Sequence, residues 1–173
     1  MDSDQDIQLL LIHEVTTCLH AAHIPHWLFG GWAIDFHLGS ITRQHDDIEF
    51  LMWRTDEQAI ATTLLAHEYE RYQGGFVDEM AIFFKQGQKV EFDLLTHTAT
   101  NEVVVDGRWA DLSWPAGAFA APAATFAGIT CPIVSAQALL WLKQRYASHP
   151  AGGSLRPKDR ADIQRLQDYL QQR

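Results

Sequence analysis

The sequence predicts an α+β fold, a small mixed β-sheet backed by helices and closed by a helical C-terminal segment. Three observations predict it. Strand-like and helix-like stretches alternate early in the chain, a hairpin meander occupies the middle, and apolar residues at helical spacing return at the end.

Ile7, Leu10, Leu11, Val15 and Leu19 recur at helical spacing and predict an amphipathic helix over 6–23, stopped before Pro25. Trp27, Leu28 and Phe29 form a short apolar run that meets Gly30-Gly31. This reads as a strand, a glycine turn and a helix over 32–38, with Gly39 as its stop. Residues 48–53 have the length and composition of a strand. Thr55-Asp56-Glu57-Gln58 then reads as a capping box opening a helix that runs to about Glu68. Residues 81–85 and 89–95 flank Gln86-Gly87-Gln88, a three-residue loop of the kind that joins antiparallel strands. Val103-Val104-Val105 before Asp106-Gly107 predicts a further short strand. From there to Pro132, Pro115, Pro122 and many small residues mark an irregular stretch suited to a lid or substrate wall. Ser135 caps a helix carrying Leu139, Leu140, Leu142 and Tyr146, and 158–171 form a last helix with Ile163, Leu166 and Leu170 inward. On this reading 1–134 are the core, and 135–173 are a helical segment packed on it within one compact domain.

Composition narrows the function. A formal charge of −9 argues against tracking a long phosphate backbone, which needs Lys and Arg to displace counterions, so no nucleic-acid partner is expected. The acidic start lacks a basic leader region and no apolar run approaches the roughly 18 residues of a membrane span. A cytoplasmic protein with no membrane partner is expected. Cys18 and Cys131 read as core thiols, and His13, His20 and His23 as the polar face of the first helix rather than metal ligands.

Asp47 and Glu49 lie two apart at the start of a strand, so their carboxylates project from one face. Two like charges side by side require a compensating cation, and paired magnesium ions about 3.5–4 Å apart are one recurrent solution. Gly30-Gly31 ends the preceding strand. Glycines there let backbone N–H groups approach a triphosphate, with a helix N-terminus turned toward the charge.

Phe29-Gly30-Gly31-Trp32-Ala33-Ile34-Asp35, followed by Arg43-Gln44-His45-Asp46-Asp47-Ile48-Glu49, resembles the aminoglycoside and lincosamide nucleotidyltransferases of the polymerase-β-like superfamily. The likeness is close over 7–52. It returns at Arg156-Pro157-Lys158-Asp159-Arg160-Ala161-Asp162, similar to a segment in the C-terminal helices of related transferases, while 54–134 align with nothing secure.

The resemblance implies a nucleotidyltransferase fold and transfer of a nucleoside monophosphate, AMP from ATP, to a hydroxyl of a small-molecule antibiotic, conferring resistance. Two Mg²⁺ ions and an NTP are the expected cofactor and co-substrate. Gly30 and Gly31 would hold the triphosphate, Asp47 and Glu49 the metals, and Arg43, Lys143 and Lys158 would reach phosphate. A third carboxylate is expected from Glu91 or Asp93, which share a strand face; it would bind metal, Asp93 joining the ligand set, or accept the hydroxyl proton. The family's second ligand is commonly Asp, where this chain has Glu49. His45 is expected to orient its loop and Asp46 to cap or bond it. Asp35 is expected to tie its helix to nearby backbone or to Arg43.

Trp109 and Trp114 are read as stacking on a base or sugar, or as core. Asp78 and Glu79 are read as charge for a cationic acceptor, or as a solvated turn. The acidic balance tilts the acceptor toward an aminoglycoside over a lincosamide. The alternatives are a transferase acting on a protein or RNA, and a degenerate nucleotide-binding module. Monomer and homodimer both stay open.

Overall fold

A computed structural model describes residues 3–73 and 79–172. The first helix, α1 (Asp4–Ala21), starts two residues before its apolar pattern suggests. Ser3 and Asp6 account for this: the Ser3 hydroxyl accepts from the Asp6 N–H at 3.2 Å and the Asp6 carboxylate accepts from the Ser3 N–H at 3.0 Å. Leu11, Ile12, Val15 and Leu19 are its buried stripe.

The chain then runs through β1 (His26–Phe29) directly into α2 (Gly30–Leu38), which begins at the first glycine rather than at Trp32. Every residue of α2 from Gly30 to Phe36 is buried, and left-handed Gly39 ends it. β2 (Ile48–Trp53) has the expected bounds. The capping box read at Thr55 does not form: the chain leaves β2 through a 3-10 turn, Arg54–Asp56, and α3 (Glu57–Ala66) starts behind Asp56 with no side-chain cap.

β3 (Glu70–Arg71), β4 (Met80–Lys85) and β5 (Gln88–His97) follow. Lys85 pairs with Gln88, so the hairpin loop is Gln86-Gly87 alone, both at positive φ. That is the two-residue turn matching strand twist. Gln88 is the first residue of β5, and its side-chain carbonyl accepts from the Gln8 amide of α1 at 2.8 Å. After β6 (Val103–Val105), the stretch expected to be irregular contains a small hairpin of β7 (Ala124–Phe126) and β8 (Ile129–Cys131). α4 (Ala136–Tyr146) and α5 (Pro157–Gln171) close the chain, pack on each other and both meet α2.

The main sheet runs β1-β2-β5-β4-β3, with β6 also on β5. β2 and β5 are parallel and the other pairs antiparallel, which makes the sheet mixed as expected. The outer edge of β1 is covered: the Leu28 N–H donates to Pro132 O at 2.7 Å and Leu28 O accepts from the Val134 N–H at 3.1 Å. The core fills with Phe50 and Phe92, stacked at 5.3 Å, and Phe83 edge-on to Phe92. Cys18 and Cys131 are buried free thiols. Among the described residues no helix is long and apolar enough to cross a membrane.

Ser135 caps α4 as expected, accepting from the Ala138 N–H at 3.3 Å. Ser135→Ala should lower stability by about 1 kcal/mol, read from urea denaturation midpoints at constant slope.

Candidate active site

Parallel pairing sets Glu49 beside Glu91 and Leu51 beside Asp93, so strand alternation turns Glu49, Glu91 and Asp93 to one face. Asp47 stands at the entrance to β2. All four carboxylates line one cavity of about 390 Å³, and Gly30, Gly31, Arg43, Lys143 and Lys158 line it too. The fold therefore gathers around one cavity the carboxylates, glycines and phosphate-reaching cations that the sequence singled out.

The cluster is electrostatically strained. Burial first, then the charges of Asp47 and Glu91, push the Glu49 carboxyl up to about 7, although Lys143 and the Gly31 N–H favour its ionised form. Burial, then Glu49 and Glu91, raise Asp93 well above the usual carboxylate range. Lys89, a side chain that the sequence motifs do not single out, relieves part of this. Its Nζ lies 2.9 Å from Asp47 Oδ2 and 2.8 Å from Glu91 Oε1. Burial works against its ammonium, but the hydrogen bonds to Glu91 and Asp47 outweigh that and raise it above the ordinary lysine range. A signal for it exists in the sequence, because Lys89, Glu91 and Asp93 alternate onto one strand face.

Oxygen donors crowded until they repel are what a hard divalent cation takes, so the residues suit Mg²⁺ by charge and donor type. Among the described residues, however, no three acidic, His or Cys side chains converge on one point. The cation that Asp47 and Glu91 hold here is Lys89.

The two glycines are fixed by what they face. Gly30 has φ +63, and a Cβ there would overlap the Glu49 carboxylate; a Cβ on Gly31 would run into the Arg43 guanidinium and the His45 ring. Gly31→Val should therefore displace Arg43 and His45 and weaken NTP binding more than acceptor binding. Calorimetry with a non-hydrolysable NTP checks this, and unchanged nucleotide affinity in a folded variant would reduce the pair to a packing turn.

Buried Asp35 organises the loop between α2 and β2. It accepts from the Thr42 N–H at 3.2 Å and the Thr42 hydroxyl at 2.7 Å, and lies 2.6 Å from His45 Nε2. The His45 ring packs against Trp32 at a tilt, with centroids 4.5 Å apart. Of the two partners expected for Asp35, nearby backbone is found. Arg43 turns instead to Asp162 at 3.4 Å, and exposed Asp46 pairs with Lys158 at 2.8 Å rather than capping.

α5 explains the second motif. Asp159 and Asp162, three apart on one helix face, are both buried. Lys143 reaches Asp159 at 3.3 Å and Asp162 at 3.1 Å, and Arg156 reaches Asp159 at 2.7 Å. Burial alone would raise the Asp159 carboxyl, but Arg156 and Lys143 hold it well below the usual range. The two aspartates thus fix Arg43, Lys143 and Arg156 at one side of the cavity. In the sequence, Arg156, Asp159 and Asp162 stand out only as part of a resemblance.

Aromatic rings form another side. Trp114 is largely buried, edge-on to Phe29 at 5.8 Å and 6.2 Å from Trp141. Half-buried Trp109 stacks on Tyr146 at 5.7 Å. Trp109 and Trp114 line the cavity while also packing, and Trp141 and Tyr146 join them. Glu79 is paired with Arg108 at 2.9 Å, and Asp78 lies outside the described residues.

Comparison with known proteins places the chain in a family. The family model described as aminoglycoside-2''-adenylyltransferase matches residues 11–166. A 2''-aminoglycoside nucleotidyltransferase of Escherichia coli and one of Klebsiella pneumoniae are each 37% identical over 76 residues, 42% of this chain. The match spans 43% of the length of those relatives. Among solved structures, ANT(2'')-Ia in complex with adenylyl-2''-tobramycin has a TM-score of 0.75 at 21% identity, over 95% of this chain and 90% of that one. The lincomycin-bound lincosamide antibiotic adenylyltransferase LnuA has a TM-score of 0.67 at 16% identity, over 96% and 98%. The fold shared with these structures is the nucleotidyltransferase fold. Since the family match runs from α1 into α5 and takes in the carboxylate strands, the glycine turn and the Asp159–Asp162 face, the chain belongs to the aminoglycoside-2''-adenylyltransferase family.

Proposed function

We propose that the protein transfers AMP from ATP to a hydroxyl of a small-molecule antibiotic, an aminoglycoside or a lincosamide, in the cytoplasm, and so confers resistance. The observation that carries the reading is the division of one cavity into a carboxylate face, from β2 and β5, and a cationic side from the α2–β2 loop and 135–173. Without that last segment the cavity would lose Lys143, Arg156 and Lys158, which supports one domain made of 1–134 and 135–173 together.

Arg43, Lys143, Arg156 and Lys158 bind and orient the triphosphate, and the backbone at Gly30-Gly31 lets it come close. Asp47, Glu49 and Asp93 would hold two Mg²⁺ ions, which when bound supply charge neutralisation at the acceptor oxygen and the leaving pyrophosphate. The acceptor oxygen attacks the α-phosphorus in line, the bond to pyrophosphate breaks, and the hydroxyl proton passes to a carboxylate of the chain. Glu91 is assigned that proton. It sits directly beside Glu49 in register, whereas Asp93 lies two residues further along β5, its carboxyl raised by burial and its acidic neighbours. Trp109, Trp114, Trp141 and Tyr146 give the cavity an aromatic wall against which a base or sugar can pack.

Pyrophosphate release tests the reading, measured with each NTP and Mg²⁺, with and without a panel of aminoglycosides and lincosamides. Release with ATP that depends on an antibiotic is expected. Release that needs a protein or RNA instead would shift the acceptor class, and no release with any acceptor would indicate a binding module.

A further inference from the structure

Resting on the proposed two-metal site, we infer that Lys89 is a tethered cation that holds Asp47 and Glu91 in place of a divalent ion and is displaced when the metal loads. Its Nζ bonds one carboxylate from each side of the β2–β5 pair, at 2.9 Å and 2.8 Å. Asp47 is an assigned metal ligand and Glu91 the assigned proton acceptor. An ammonium and a divalent ion thus compete for the Asp47 carboxylate, while the same ammonium holds Glu91 beside it.

The strand supports an exchange that moves only the side chain. β5 is hydrogen-bonded on both sides, with Lys89 opposite Phe84 of β4 and the next residue, Val90, beside Ile48 of β2. The backbone under Lys89 is fixed. Its side chain is 34% exposed and can swing to water without opening the core. Lys85, four residues back, serves as an internal reference. It bonds both carboxylate oxygens of Glu14 and the His67 carbonyl, and none of these belongs to the cavity.

Two consequences follow. Without metal, Lys89 limits repulsion among the carboxylates and keeps Asp47 and Glu91 in place. With metal, an ion that loads on Asp47 must first break its charge-assisted hydrogen bond to Lys89, so the apparent affinity in the absence of nucleotide is lower than the carboxylates alone would give.

The test is a calorimetric Mn²⁺ titration, without nucleotide, of the wild-type protein, Lys89→Met and Lys89→Arg. Lys89→Met should bind Mn²⁺ about tenfold more tightly, and Lys89→Arg should stay near wild type. In EDTA, Lys89→Met should melt below the wild type, and saturating Mn²⁺ should remove the difference. The wild-type protein supplies an independent readout: reductive methylation of Lys89, followed by mass spectrometry, should rise on adding Mn²⁺ while Lys85 stays constant. Equal or weaker Mn²⁺ binding by Lys89→Met, or Lys89 labelling unmoved by saturating Mn²⁺, overturns the inference. If Mn²⁺ binds all three proteins equally, the metal site stands and only the role of Lys89 fails. If it binds none, both fail. A loss of ATP affinity in Lys89→Met at unchanged Mn²⁺ affinity would make Lys89 a phosphate ligand instead, which also overturns it.

Discussion

Asp47→Asn and Glu49→Gln should each reduce turnover by on the order of 10²–10³-fold or more and leave the fold intact. Each removes one charge from the carboxylate face and keeps nearly the same shape. For Glu49→Gln the stability effect should run the other way. The Glu49 carboxyl is raised from its ordinary 4.5 to about 7. The folded state therefore binds this proton more tightly than the unfolded chain. In metal-free protein the favourable contribution is complete below pH 4.5 and is lost as the pH rises through 7. Glu49→Gln cannot ionise and escapes this loss. Its melting temperature in EDTA should exceed that of the wild type, by a margin that grows between pH 4.5 and 7 and then levels off. Rates within threefold of wild type for both variants, at saturating substrates and Mg²⁺, would remove these residues from the machinery.

Glu91→Gln and Asp93→Asn should be unequal, and this is the second large effect. Their Cα atoms are about 6.6 Å apart along the strand, so the two cannot occupy one ligand position. Glu91→Gln, having lost the assigned proton acceptor, should bind ATP and Mg²⁺ but lose turnover, with the deficit in the chemical step. Asp93→Asn should instead require more Mg²⁺ and recover partly when it is supplied. Single-turnover kinetics across a magnesium titration separates the two. Recovery of Glu91→Gln at high Mg²⁺ would exchange their roles, and near-normal rates in both would mean that the third carboxylate is not on β5.

The parts of the site written in contiguous residues are legible in the amino-acid sequence alone. Glycine turn, motif loop and β2 lie within 29–53, and local rules are enough there: a two-residue period puts Asp47 and Glu49 on one face, and Asp35 and His45 belong to the same short segment. What the sequence does not disclose depends on long-range pairing. Lys89 bridges Asp47 and Glu91 only because β5 runs parallel to β2, and that partnership is set by a crossover through α3 and β4 in the stretch where nothing aligns securely. The Thr55 box fails for a local reason, since its Thr falls inside a 3-10 turn and not at a helix end.

The β7–β8 hairpin turns at Ala127-Gly128, both at positive φ, and Ala gives no warning of such a backbone. Its Pro and small-residue flanks read as irregular for that reason. α5 shows a different limit. Periodicity finds its apolar stripe, yet buried Asp159 and Asp162 are polar, and their cationic partners, Lys143 of α4, Arg43 of the motif loop, and Arg156 and Arg165 at and within α5, explain why they can be buried at all.

One measurement bears most directly on the central claim. The protein is incubated with ATP, Mg²⁺ and each of a panel of aminoglycosides and lincosamides, and the small-molecule fraction is weighed by mass spectrometry. The account predicts an antibiotic carrying one added AMP, formed by the wild-type protein and absent with Asp47→Asn. Unmodified antibiotics throughout, with ATP intact and the protein folded, would contradict it.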